Sequence, residues 1–354
     1  MTTQPSHGAF DDSAGSYDAV LYLSFGGPEG PEDVMPFLEN VTRGRGVSEK
    51  QLAEVAEHYL AFGGVSPINS QNRAVIAALE EALAAAGLDL PVYWGNRNWK
   101  PYVAEALQLM ADDGVRHAIC FVSSAFSSYS GCRQYREDLA AASAEVPGAP
   151  AIDKLRVFFN HPGFVAPVTE KVAAALMEIP AARRGDAHLA FTAHSIPASM
   201  AETSSYVTQL RETCRLVDEA TGGNAWELIF QSRSGPPHIP WLEPDISEHL
   251  EKLAADGVAD VVVVPVGFVS DHLEVLFDLD VEAADTAATA GINMVRAGTV
   301  GIHPVYIEMI VGLIRERMSD RPERACLGTL PPSHDICARD CCPGPMLKPA
   351  LAEL

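Results

Sequence analysis

The sequence predicts an α/β protein built on doubly wound parallel sheets. Three observations carry this. Short β-branched runs alternate with amphipathic stretches from Tyr17 to about Arg317. The runs are apolar almost throughout, as strands covered on both faces are. Several of them end in a turn that opens a helix, the place where open α/β sheets bind ligands.

Taken in order, the strands are expected at Asp18–Ser24, Pro91–Gly95, Arg116–Val122, Lys154–Phe159, His188–Ala193, Trp226–Gln231, Val258–Pro265 and Asn293–Arg296. Helical patterns separate most of them. The Val-Pro-Gly-Ala-Pro stretch at Val146–Pro150 reads as a loop. Residues 1–16 read as a flexible polar tail. After Arg317 the apolar period fades into Pro, Gly and Cys, so 318–354 reads as a Cys-rich tail with little core of its own, which something must order. No short tandem repeat is present, but Leu21–Pro28, Leu189–Pro197 and Val263–His272 echo one another as strand, turn and helix start.

With 354 residues, 47% of them hydrophobic, the chain can bury a full core. A formal charge of −22 argues against nucleic acid as a partner, because phosphate binding needs clustered Lys and Arg. The longest apolar runs, such as Val258–Val269, reach only about half of the roughly 20 residues of a membrane helix, so no transmembrane segment is expected. The N-terminus has no basic stretch leading into an apolar one, and a cytoplasmic location is expected. In that compartment the seven cysteines are not a disulfide framework. Four of them, Cys326, Cys337, Cys341 and Cys342, crowd into the tail and suggest a metal or cluster site.

The first turn, Ser24–Asp33, resembles a glycine-rich phosphate loop, but it lacks the Gly-x-Gly-x-x-Gly and Gly-Lys-Ser/Thr patterns. Glu29, Glu32 and Asp33 put negative charge where a phosphate would sit, so no nucleotide is expected. His194 closes a strand before a sharp Ser-Ile-Pro turn, where a neutral imidazole can accept a proton or ligate a divalent metal. Glu274, Asp278 and Glu282 stand at i, i+4 and i+8, a row of carboxylates along one helical face. Such a row serves either as a solvated acidic face or as a hydrated path for a cation.

Several separated motifs, in one order, resemble the ferrochelatase signatures. They are Ala193-His-Ser-Ile-Pro197, Gln231-Ser232 with Pro240-Trp-Leu-Glu-Pro-Asp245, and Pro265-Val-Gly-Phe-Val-Ser-Asp-His-Leu-Glu274 with Asp278 and Glu282. Gly63–Ile68, Arg43-Gly-Arg45, Gly95 and Pro101-Tyr102 extend the match over about Tyr17 to Arg317. The resemblance implies two similar Rossmann-like domains with a porphyrin cleft between them. The first takes 17–100 plus 297–317, the last long helix returning to it, and the second takes 101–296. It implies insertion of Fe2+ into a porphyrin, with His194 and Glu274 as catalytic groups facing each other across the porphyrin plane. Asp278 and Glu282 join them as iron ligands leading outward. Such an enzyme is a lyase of haem biosynthesis, and transient contact with another enzyme of that pathway is implied.

The short charged stretch Arg43–His58 replaces the longer apolar lip of mitochondrial-type enzymes, which favours coproporphyrin III over protoporphyrin IX, with Arg43 and Arg45 as partners for propionates. At Phe25 the otherwise similar firmicute enzymes carry a tyrosine able to ligate iron; phenylalanine can only line the porphyrin site. Cys132 stands where some family members place a distant cluster ligand. With Cys337, Cys341 and Cys342 it suits a 2Fe-2S cluster or an all-cysteine zinc site, and Cys326 is a substitute for one tail ligand. Four other readings stay open: a protoporphyrin IX ferrochelatase, a cobalt or nickel chelatase for another tetrapyrrole, a haem-binding carrier, and an iron-sulfur regulator.

Overall fold

The structure, a computed structural model, describes residues 16–44, 46–235 and 238–344. Among them are eight strands: β1 (Ala19–Ser24), β2 (Val92–Asn96), β3 (His117–Val122), β4 (Ala151–Lys154), β5 (His188–His194), β6 (Trp226–Gln231), β7 (Asp260–Val264) and β8 (Asn293–Arg296). They form two four-stranded parallel sheets, ordered β2-β1-β3-β4 and β6-β5-β7-β8. Advancing each index of the first sheet by four gives the second. The echo between Leu21–Pro28 at β1 and Leu189–Pro197 at β5 therefore reflects two copies of one topology, the doubly wound chelatase-like fold, whereas Val263–His272 belongs to β7, the counterpart of β3.

Two boundaries differ from expectation. The first sheet keeps β3 and β4, so a domain change after residue 100 would cut through one sheet; β1 is its centre and pairs with both β2 and β3. Hydrophobic period locates a strand but does not say which sheet it joins. The fourth strand ends at Lys154, where the expected one began. Leu155, Val157, Phe158 and Phe159 are all buried, yet they lead away from the sheet to the helix Pro162–Glu178. A short apolar run buried on every side looks the same whether it is paired or crossing the core.

That crossing segment lies in a core shared by the two halves, where Tyr22 and Phe121 of the first sheet meet Phe158, Phe164 and Tyr306, and the same cluster extends to Leu189 and Phe191 of the second sheet. The final helix, Pro304–Arg317, leaves the second sheet and packs on both Pro162–Glu178 and α3 (Pro67–Ala85) of the first half. Arg315 there donates to the carbonyl of Ala86 at 2.7 Å.

Before α3 come α1 (Pro31–Val41) and α2 (Glu49–Ala61). α2 begins in a capping box, Ser48 and Gln51 each bonding the other's backbone N–H, which fixes where the chain turns into the helix. Its inner residues Leu52, Ala56 and Tyr59 pack with Phe37 of α1, Trp99 and Leu273, while Phe25 joins the edge of this cluster. Its outer face carries the charged Glu49, Lys50, Glu54 and Glu57 together with the exposed apolar Val55 and Leu60. α2 is thus a largely charged lip that reaches the second half at Leu273.

The tail has its own anchors. Arg156, fully buried, pairs bidentately with Glu316 and donates to the carbonyl of Ala325 at 3.0 Å. Asn160 donates to the carbonyl of Leu330 at 2.9 Å, Glu212 accepts from the Thr329 N–H at 2.9 Å, and Arg324 pairs with Asp335. A polar clamp therefore orders residues up to Asp335 without a core of their own. No helix among the described residues is long and apolar enough to cross a membrane.

Candidate active site and tail cysteine site

β5 and β7 end side by side, and one glycine sets how closely their exits approach. A Cβ on Gly267 would stand 2.7 Å from the Cα of Ala193, and the Gly267 N–H donates to the Thr192 carbonyl at 3.0 Å. Only glycine permits this contact, which carries the 268–274 segment across the end of β5. His194 and Glu274 meet as a result: Nε2 lies 3.7 Å from Oε2, and both side chains are partly open to solvent.

The His194 ring is oriented from its other nitrogen. Nδ1 is hydrogen-bonded to the Ser195 carbonyl, which can only accept, so Nδ1 carries the proton and the Nε2 lone pair of the neutral ring points toward the carboxylate. Tyr206 holds the backbone by donating to the His194 carbonyl at 3.0 Å. Two electron-pair donors facing each other at this distance leave room for a proton or a divalent cation between them. They do not leave room for a ring. Groups on opposite faces of a flat macrocycle stand about 7 Å apart, at roughly 3.5 Å per face.

The acidic row is present, in a different helix. After one α-turn at Leu273–Val275 the chain runs as a π-helix over Leu276–Ala283, then as α-helix to Ala290, where Gly291 at φ 76° ends it. The wider i→i+5 turn is rare and recurs at functional sites. Asp278 still feels both neighbours. Burial pushes its carboxyl up to about 7, opposed by the Ser232 hydroxyl and the Gln231 amide and assisted by the charges of Glu274 and Glu282. Gln231 Nε2 lies 3.3 Å from Asp278 Oδ2, and Gln231 Oε1 is buried without a partner.

Three residues the sequence reading passed over belong here. His272, whose pKa burial lowers, is near enough for Glu274 and His194 to act on it electrostatically. Tyr59 closes the site from α2, its phenol pushed up by burial and then by Glu274 and Asp278. Ser232 holds Asp278 from a backbone at φ 61°. His272 lies inside a quoted motif, so it was within reach; Tyr59 and Ser232 become neighbours only through tertiary packing. Of the residues expected at the porphyrin, Phe25 packs edge-on against Phe37, Arg43 is exposed just after α1, and Arg45 lies outside the described residues.

At the far end, four cysteines converge. Cys132 sits in a π-turn, Tyr129–Arg133, and is hydrogen-bonded to Cys337, whose thiol is pushed down to about 7, first by that bond. Cys341 and Cys342 have sulfurs 3.6 Å apart, with Cys342 at φ 51°. Cys337 and Cys342 also influence one another electrostatically. All are free thiols. Cys326 is exposed on the stretch clamped by Arg156 and Asn160, and no contact described joins it to the other four.

A ferrochelatase family profile matches residues 17–318. The coproporphyrin III ferrochelatase of Streptomyces griseus is 53% identical over 95% of this chain and 96% of its own length. That of Frankia alni is 53% identical over 96% and 90%, and the ferrochelatase of Rhodopirellula baltica 53% over 92% and 93%. Among solved structures, a multi-domain Deinococcus radiodurans protein similar to chelatases has a TM-score of 0.53 at 16% identity, covering 87% of this chain and 57% of that one. SirB from Bacillus subtilis has a TM-score of 0.51 at 13% identity, covering 86% and 97%. These structural likenesses speak for the fold, whereas the profile and the sequence relatives decide the family: the chain belongs to the ferrochelatases.

Proposed function

We propose that this chain is a lyase that inserts ferrous iron into coproporphyrin III. The observation that carries the reading is the facing pair of His194 Nε2 and Glu274 Oε2, 3.7 Å apart at the head of an acidic row. The reaction exchanges two pyrrole protons for Fe2+, so charge balances and no electron moves. His194, with its Nε2 lone pair free, takes a pyrrole proton as general base. Glu274 on the same face receives iron or the second proton. Asp278 and Glu282 replace water around the incoming ion, because carboxylate oxygens suit such cations.

The substrate choice rests on the polar lip and on what the relatives act on. On this reading Arg43 meets propionates by charge-assisted hydrogen bonds, and Arg45 is assigned the same role from sequence alone. Phe25 lines the cleft wall. No residue of this set needs a membrane surface, in keeping with action in the cytoplasm.

Cys132, Cys337, Cys341 and Cys342 would hold a 2Fe-2S cluster. The residues fit it, since four thiols from two separate segments come together in one partly buried place. Such a cluster would supply thiolate–iron bonds across those segments and a one-electron couple that metal insertion does not use.

The test is anaerobic mixing with Fe2+ and either coproporphyrin III or protoporphyrin IX, followed by absorption. The expected result is the metalloporphyrin spectrum, with kcat/KM at least about tenfold higher for coproporphyrin III. Equal or reversed preference overturns the substrate; absence of metallation with both overturns the chelatase reading.

A further inference from the structure

Glu274 and Asp278 lie on a stretch that one cation grips at both ends. Arg296, the last residue of β8, donates from Nε to Oδ1 of Asp280, and its Nη1 lies 3.2 Å from Oδ1 of Asp271. Asp271 stands just before the segment that carries Glu274, and Asp280 just after Asp278. The guanidinium side chain is only 18% exposed, and both of its partners are partly withdrawn from water. A planar fork holds two carboxylates in a fixed relation, which the flexible point charge of a lysine does not.

The stretch needs such a tie. Its backbone makes one α-turn at Leu273–Val275 and widens to π geometry over Leu276–Ala283. Turns of that width are rare, so contacts from outside the helix must favour this one over the ordinary α-turn. At one end, Gln71 of α3 accepts from the Asp271 N–H at 3.0 Å, which ties the stretch to the first half. In the middle, Ser232 and Gln231 hold Asp278 from the end of β6. Arg296 supplies the remaining hold, from the edge strand of the second sheet, and joins the two ends. It also sorts the acids. Five carboxylates fall between 271 and 282, and pairing Asp271 and Asp280 with Arg296 leaves Glu274, Asp278 and Glu282 as the row.

We propose that Arg296 is a positioning residue for metal insertion: by spanning Asp271 and Asp280 it holds the π-helical register that sets Glu274 against His194, and it withholds those two carboxylates from the incoming ion. Arg296 itself touches neither iron nor porphyrin. The inference rests on reading this site as the place where iron enters the ring. Without the fork the segment is free to tighten toward α geometry, and Glu274 then shifts relative to His194 and Asp278. A misplacement of about 1 Å near a reacting centre costs on the order of a hundredfold in rate.

The test compares the full-length protein with Arg296→Met and Arg296→Lys, reading coproporphyrin III binding by fluorescence, Fe2+ insertion by absorption, and amide hydrogen exchange along the chain. Arg296→Met should bind the porphyrin within about twofold of the unaltered chain and lose at least about tenfold in kcat. Its apparent KM for iron should rise, as the freed Asp271 and Asp280 compete for the ion. Exchange should quicken over 271–283 and stay as it was in α3 and in the final helix. Arg296→Lys keeps the charge without the fork and should remain at least about threefold below the unaltered kcat. Unchanged kcat in Arg296→Met, or full activity in Arg296→Lys, would overturn the proposal. Should Arg296→Met fail to fold, the milder Asp280→Asn decides: unchanged kcat together with unchanged exchange over 271–283 would overturn it there. Absence of insertion by the unaltered chain would instead remove the chelatase reading. The tie is then judged by exchange alone, and slow exchange over 271–283 in Arg296→Met would overturn it.

Discussion

Ser232 donates its hydroxyl to the carboxylate of Asp278 from a backbone held at φ 61°, a left-handed conformation that a residue with a side chain seldom adopts. The serine stands immediately past β6 and the aspartate in the π-helix, so this contact fixes the acidic row against the second sheet. Removing the hydroxyl in Ser232→Ala frees Asp278 to turn. The expected result is a raised apparent KM for iron with kcat little changed, and partial recovery in Ser232→Thr. The pH dependence follows from Asp278 itself. Its carboxyl is neutral in the fold below about 7 and ionised above, so the apparent KM for iron should fall as pH rises through 7. Because the folded pKa is raised, folding is favoured by the protonated form, and that advantage is lost as pH rises through about 7. Asp278→Asn should therefore gain a few degrees in Tm at pH 8 relative to the unaltered chain, and gain nothing near pH 3.

Turnover should divide along the row. His194→Ala and Glu274→Gln are expected to bind porphyrin while losing a factor of about 100 or more in kcat, the usual scale of a lost general acid or base. Glu282→Gln should keep near-normal kcat at saturating iron and show its defect in KM for iron. Near-normal turnover in His194→Ala would remove the active-site assignment. Inactivity of Glu282→Gln at high iron would give that residue a part in insertion itself.

The cysteine site predicts colour. Anaerobically purified protein should be red-brown from thiolate-to-iron charge transfer, and Cys132→Ser should bleach it and lower Tm, because bonds to a bound cluster contribute to folding free energy. Cys326→Ser should change neither. Limited proteolysis should then cut the bleached variant first after Asp335, since the clamp of Arg156, Asn160 and Glu212 contains no cysteine.

A pair of buried histidines makes stability depend on acid. His188 Nε2 lies 3.2 Å from His249 Nε2, and His188 is pushed down to about 4 by burial and then by His249. Between about 4 and the ordinary 6.5 the unfolded chain binds more protons than the folded one. The stability this pair contributes is thus full above 6.5 and lost as pH falls toward 4. The drop in Tm between pH 6.5 and 4.5 should be smaller in His188→Asn; an identical drop would exclude His188 as its source.

Much of this was readable beforehand because it is local. His194 ends a strand in a turn, and four-residue spacing placed Glu274, Asp278 and Glu282 together even though the helix between them is widened to π geometry. That widening, the close approach of His194 and Glu274, and the contact from Ser232 depend on how β5, β6 and β7 leave one sheet, and no window of sequence contains that. The tail cysteines were visible as a cluster; the clamp that orders the stretch before them was not, because Arg156, Asn160 and Glu212 meet it only through tertiary packing. The displaced domain boundary has the same origin: β3 and β4 look like any other buried strands until their partners are known.

The polypeptide passes between the two sheets at residues 155–161 and again through the helix Pro304–Arg317. A single connection would act as a pin about which the halves could swing. Two connections, packed into a common core, behave like a pair of parallel struts and resist that rotation. For the proposed reaction, the halves then keep their spacing when a porphyrin binds, and the deformation needed to expose its ring nitrogens falls on the macrocycle rather than on the protein.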